Sequence, residues 1–323
     1  MIGAGAQPAG RGRVVVGMRR LLLPALAAAA IAAAAPPAAH ATFPGNDGRV
    51  AYAGTMTGET DDGRKFSQRG IGTVSSEGGR GRGAKFLRQC SLADGVPEQG
   101  DCEIEYRSPA WAPSGRLLAF DAGDSLALVG RGGSDFEALR AVTDDDGEPA
   151  FAPSGRRLAF SGRRGRMRDL YVYDLRNGRA RRVVRRASAP DWAARGRRIA
   201  FVRSGNVFTA RDDGRRVRRL TRAGARAPSF SPSGRSIAFA RRGGIYVMPA
   251  RGGRARRVLR CSRCAEPAFS PDGREIVYEQ GRVGSAQGGL RVVRTRGAGR
   301  PVTLISSAGA SFQAVQPAWQ PLG

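Results

Sequence analysis

The side chains of this chain best suited to chemistry are carboxylates. Asp144, Asp145 and Asp146 stand in a row, Glu148 follows two places on, and Glu266 lies further along, with Arg226 in a corresponding stretch between them. Positioned carboxylates can act as general acid and base. A run such as Asp144-Asp-Asp-Gly-Glu148 could also offer oxygens to Ca²⁺. It lacks the spaced ligands of an EF-hand loop, so it reads as a plain acidic turn, and no metal is expected. The chain has one histidine, His40, inside an N-terminal leader. Beyond the leader the sequence therefore lacks Ser-His-Asp and Cys-His arrangements, histidine general bases and histidine metal ligands. The expectation is a non-enzyme without a cofactor, a carboxylate-dependent hydrolase or lyase being the alternative.

The leader is residues 1–41. Arg11, Arg13, Arg19 and Arg20 precede an apolar run from Leu21 to Ala35, Pro36-Pro37 breaks it, and Ala39-His40-Ala41 supplies a small-x-small cleavage pattern. The run is shorter than the roughly 20 residues that span a bilayer, so a signal peptide is expected and no stable transmembrane anchor. Met18 offers an alternative start. Export suits the four cysteines, which an oxidising compartment would pair. Proximity favours Cys90 with Cys102 and Cys261 with Cys264. The formal net charge is +27, and all but two of the 54 basic residues are arginine. Such a field attracts anionic polymers, and salt weakens it. Nucleic acid is not an expected partner, because no exposed aromatics interleave with the basic runs.

These residues must be positioned by a repeat. A twelve-residue phrase, Pro149-Ala-Phe-Ala-Pro-Ser-Gly-Arg-Arg-Leu-Ala-Phe160, also begins at Pro109, Pro190, Pro228 and Pro267, at intervals of 40, 41, 38 and 39 residues. Each copy reads as an apolar strand, a turn with glycine fourth and with proline second except where Ala194-Arg195 replaces the Pro-Ser pair, and a second strand. A third strand follows, as in Leu170-Tyr-Val-Tyr173, and then a basic fourth, as in Arg181-Arg-Val-Val184. Four strands in about forty residues make a propeller blade. Pro317-Ala-Trp-Gln-Pro-Leu-Gly323 repeats the first half of the phrase, and Asn46-Asp-Gly-Arg-Val-Ala-Tyr52 the second half. The expected fold is all-β: a six-bladed β-propeller over residues 42–323, four antiparallel strands per blade. Its first blade is closed by the C-terminal strand and carries an insertion at about 54–107.

The form Pro267-Ala-Phe-Ser-Pro-Asp-Gly-Arg-Glu-Ile-Val-Tyr278 resembles the WD40-like repeat of TolB-type propellers. The resemblance covers nearly the whole chain beyond the leader. It implies a periplasmic, cell-envelope or extracellular location and a monomeric scaffold that binds a protein or envelope component. Similar propellers also stand beside peptidase domains, and one group are polysaccharide lyases. The α/β-hydrolase domain of the former and the histidines of the latter have no counterpart in this sequence.

Two further sets recur with the repeat. Trp111, Phe151, Trp192, Phe230, Phe269 and Trp319 are expected to pack between blades. Arg49, Arg116, Arg156, Arg197, Arg235 and Arg274 each follow a turn glycine and would form an arginine face able to take anions. Asp144, Asp145, Asp146, Glu148, Arg226 and Glu266 are placed on the opposite face, at the mouth of the channel.

Overall fold

The computed structural model describes residues 43, 45–59, 65–76, 85–93, 96–99, 104–222, 224–281, 289–296, 299–306 and 312–322. The leader and Cys102 lie outside them. No helix occurs among the described residues, and none therefore is long and apolar enough to cross a membrane.

Six antiparallel sheets form six blades. The innermost strands are Phe312–Leu322 in blade one, then Tyr106–Trp111, Asp145–Phe151, Ser188–Trp192, Arg226–Phe230 and Cys264–Phe269 in blades two to six. Each inner strand packs against the next around a ring, and Cys264–Phe269 meets Phe312–Leu322 to close it. The closing strand pairs with Asn46–Glu59, Trp319 opposite Val50 and Ala318 opposite Ala51. The split repeat is thus one blade, and the sheet edge that each half would leave open is covered. Blades two to six have four strands. Blade one has five, because Lys65–Val74 and Lys85–Ala93 are followed by an additional short strand, Val96–Gln99. Much of the stretch expected as an insertion therefore lies in the blade's own strands.

The core follows the phrase. Its six leading aromatics are all buried. In three successive blades the aromatic that ends the phrase stacks on one of the third strand: Phe160 on Tyr171, Phe201 on Phe208, Phe239 on Tyr246. Each such pair contributes about 0.5–1.5 kcal/mol beyond its buried area. The turns close as their residues require: Ala112 N–H reaches the Leu117 carbonyl and Gly115 N–H the Ala112 carbonyl. Gly115 has φ +64°, and a Cβ there would stand 2.0 Å from the Pro321 carbonyl oxygen of the closing strand. Only glycine meets both conditions.

Candidate functional site at the channel mouth

The repeated proline creates the mouth. In every inner strand the residue before it is held at φ between 48° and 56°: Ser108, Glu148, Ala189, Ala227, Glu266 and Gln316. None is glycine, and the left-handed region costs such residues about 1–2 kcal/mol. The ladder to the second strand shifts register at the same place in each blade. Such a bulge turns a residue away from its own ladder.

The freed amide groups bind the neighbouring blade. Gln316 N–H donates to the Glu279 carboxyl of blade six. Ser108 N–H donates to Gln316 Oε1 at 2.9 Å, Glu148 N–H to Asp121 Oδ1 at 2.8 Å, and Ala189 N–H to Glu148 Oε2 at 2.8 Å. Hydroxyls add to these acceptors: Ser108 donates to Asp121 Oδ2, and Ser161 to Glu148 Oε2. In blades four and five the pre-proline residues are alanines, and the clasp moves deeper. Phe230 N–H there donates to Asp191 Oδ2 at 2.5 Å, and Phe269 N–H to Ser229 Oγ at 3.4 Å. One acceptor side chain thus joins each blade to the next at all six junctions.

Burial governs the protonation of these acceptors. It pushes Asp121 up to about 8, with help from the nearby Glu148 charge and against the Ser108 hydroxyl. Burial lifts Glu148 to about 7, opposed by Ser161, Ala189 N–H and Arg168. Glu279 rises to about 7 for the same reason. Asp191 is held well above the usual carboxylate range by burial alone. Glu266 is too, mainly through burial and then through repulsion from Glu279 and Glu148, with Arg226 opposing. Glu148 Oε1, Glu266 Oε2 and Asp191 Oδ1 have no hydrogen-bond partner among the described residues. A carboxyl kept protonated by burial can both donate and accept a hydrogen bond.

The acidic run does not converge on one point. Asp144 is exposed and accepts from Gly165 N–H. Asp145 Oδ2 takes Arg163 and Arg168. Asp146 turns back on its own loop, accepting from Val142 N–H at 2.6 Å and the Thr143 hydroxyl at 2.5 Å. Arg226 is exposed beside the buried Glu266.

On the opposite face the arginines are not six equivalents. Arg116, Arg156, Arg197, Arg235 and Arg274 are exposed turn residues. Arg197 is tied to the buried Asp212 at 2.8 Å, and Arg274 lies 3.6 Å from Asp272. Arg49 stands one place further along. Val50 opposes Trp319 as Leu118 opposes Trp111, so Arg49 corresponds to Leu117 rather than to Arg116. Its guanidinium donates to Thr73 Oγ1 and to the Thr73 carbonyl.

Sequence reasoning missed Asp121, Ser161 and Glu279. A signal existed, since each directly follows the aromatic that ends its phrase. It also missed Asp191, which takes a place inside the phrase that blades two and three give to alanine. Cys261 and Cys264 are brought together where blade six begins, their Cα atoms 5.9 Å apart.

The closed ring of six blades defines the chain as a six-bladed β-propeller. More particularly, its fold is TolB-like: it is similar to TolB from Acinetobacter baumannii, with a TM-score of 0.60 at 18% identity over 86% of this chain and 68% of that one. The propeller solved in a nidogen/laminin complex gives a TM-score of 0.62 at 10% identity, covering 84% of this chain and 98% of that one. An oligogalacturonate lyase in complex with manganese gives 0.51 at 10% identity, covering 81% and 86%. Residues 152–228 match the family model of the dipeptidyl peptidase IV N-terminal region. No curated protein sequence matches the chain.

Proposed function

We propose that this chain is an exported, non-catalytic propeller scaffold that binds a protein or another cell-envelope component at the mouth of its channel. One observation carries the reading: the mouth carboxyls are engaged between blades. Asp121 and Glu148 each accept a backbone N–H from the next blade and a hydroxyl from their own. A catalytic acid or base must instead be free to meet a substrate proton. Glu266, buried with one oxygen unpartnered, is the mouth group left for recognition. Residues 1–41 serve as the export signal. Beyond them the chain acts as a monomer in the periplasm, envelope or outside the cell, with Cys261–Cys264 and Cys90–Cys102 as disulfides. Likeness to a nidogen propeller solved with laminin supports a protein partner.

The test compares the wild type with Glu266→Gln, which keeps side-chain shape. Affinity capture from envelope extract is expected to recover a partner with the wild type and to lose it with the variant, at unchanged melting temperature. Turnover of polygalacturonate or a peptide by the wild type, abolished in the variant, would overturn the reading in favour of an enzyme.

A further inference from the structure

A cleft of about 480 Å³ opens between blades five and six, on the face that carries the turns. Its origin lies in one position of the repeat. The residue just before the second-strand partner of the leading aromatic is Arg157 in blade three and Arg198 in blade four. Arg157 lays its guanidinium over Trp192 of the next blade, 5.2 Å from the ring centre, and pairs with Asp212. Arg198 covers Phe230 at 5.5 Å and donates to the Gly234 carbonyl. Each arginine fills the gap between its blade and the next. In blade five the same position is Ser236. Its side chain is much shorter than an arginine, and the cleft lies here, lined by Ser236 and by Phe269 of the next blade.

Positive charge predominates in the lining of this opening, although Asp47 accepts from Asp272 N–H and Glu275 lies near Asp272. Arg254, Arg256 and Arg296 line it, against the single carboxylate of Asp272. That carboxylate is already engaged, since Asp272 Oδ1 accepts from the Ser270 hydroxyl and from Arg274 N–H. Arg256 donates to the Thr295 carbonyl, while Arg254 and Arg296 are exposed. Val247, Met248, Pro249 and Phe269 supply apolar lining between the cations. Guanidinium groups take carboxylates bidentately, and a volume of this size suits a short segment rather than a single ion.

The geometry points to a binding cleft for an acidic peptide segment of a partner protein, one carrying an apolar side chain between carboxylates. A uniformly charged polymer would satisfy the arginines and leave the apolar lining unused. Two carboxylates meet Arg254 and Arg296, and the apolar residue between them packs toward Phe269 and Met248. The cleft is on the face opposite the channel mouth, so its failure and that of the mouth reading are separable.

The probe is a fluorescein-labelled peptide alternating glutamate with leucine, followed by fluorescence anisotropy at low salt. Arg254→Glu with Arg296→Glu is expected to weaken binding at least about tenfold, two charge-assisted contacts being lost. Ser236→Arg should weaken it comparably by filling the cleft, although it adds a positive charge. Reversing Arg181 and Arg182 on an outer strand should leave binding within about twofold, screening limiting their reach. Wild type that does not bind the peptide, or Ser236→Arg that binds it as well as wild type, would overturn the proposal. So would equal loss from the outer-strand reversal, or polyphosphate that displaces the peptide and still binds Ser236→Arg.

Discussion

The junction of blades three and four and that of blades five and six are made from corresponding strands, yet one is plugged and the other is open. Both are clasped, by Glu148 with Ala189 N–H at the mouth in the first and by Ser229 with Phe269 N–H deeper along the strand in the second. They differ at the turn face, where Arg157 covers Trp192 but the shorter Ser236 takes the matching place and lines a cleft. A repeat fold can thus hold its ring with one set of residues and vary its surface with another. The mouth position is bound by the need to pair a displaced backbone amide. The plug position is bound only by the space between blades.

The largest effect is expected where plug and floor are removed together. Trp192→Ala deletes a buried ring and strands the Arg157 guanidinium, and should cost about 3–5 kcal/mol in urea unfolding. A smaller loss at this site than at Phe269→Ala would mean that the plug adds nothing.

Next comes pH. Asp121, Glu148 and Glu279 hold their protons more tightly folded than unfolded. The folded chain therefore binds more protons between about pH 4 and pH 7–8, and stability falls as pH rises through that window, flattening above it. The slope should be about 1.4 kcal/mol per pH unit for each of the three groups. Melting temperatures across this range check it, and Asp121→Asn with Glu148→Gln should flatten the curve. A rise with pH would show that the clasps are ionised in the fold.

Asp191→Ala leaves the buried Phe230 N–H without its acceptor and should cost about 1–3 kcal/mol. Asp191→Asn, which keeps an acceptor, should recover most of that in the same denaturation assay. Smallest is Arg157→Ser, which gives blade three the residue of blade five. It should cost roughly 1–2 kcal/mol through the lost ring contact and the lost Asp212 pair. It should also create a second cleft in front of Trp192, detectable as increased quenching of tryptophan fluorescence by acrylamide.

The ring and its closure were legible because the phrase repeats, and periodicity survives any error about a single strand. The place of Glu148 and Glu266 in inner strands was legible because each directly precedes the proline of its phrase. Asp121 and Glu279 were not, because their role depends on an amide of the next blade, some thirty residues on, turned by a bulge that no local pattern announces. Arg49 misled for a related reason: Gly48-Arg49 copies the motif by letter, while the pairing of Val50 with Trp319 sets its place. Asp191 looked like a variant of an alanine position, and only the packed junction makes it an acceptor.

The closing strand also bears on the order of synthesis. Arg49 N–H bonds to Gln320 Oε1, 271 positions along the chain. Five blades can gather from neighbouring residues as they are made, but the first must wait, its strand Asn46–Glu59 lacking its inner neighbour until Phe312–Leu322 arrives. During that interval an unpaired strand edge stands open to foreign partners. A cell that makes this protein must either shield that edge or finish the ring faster than a stray strand can find it.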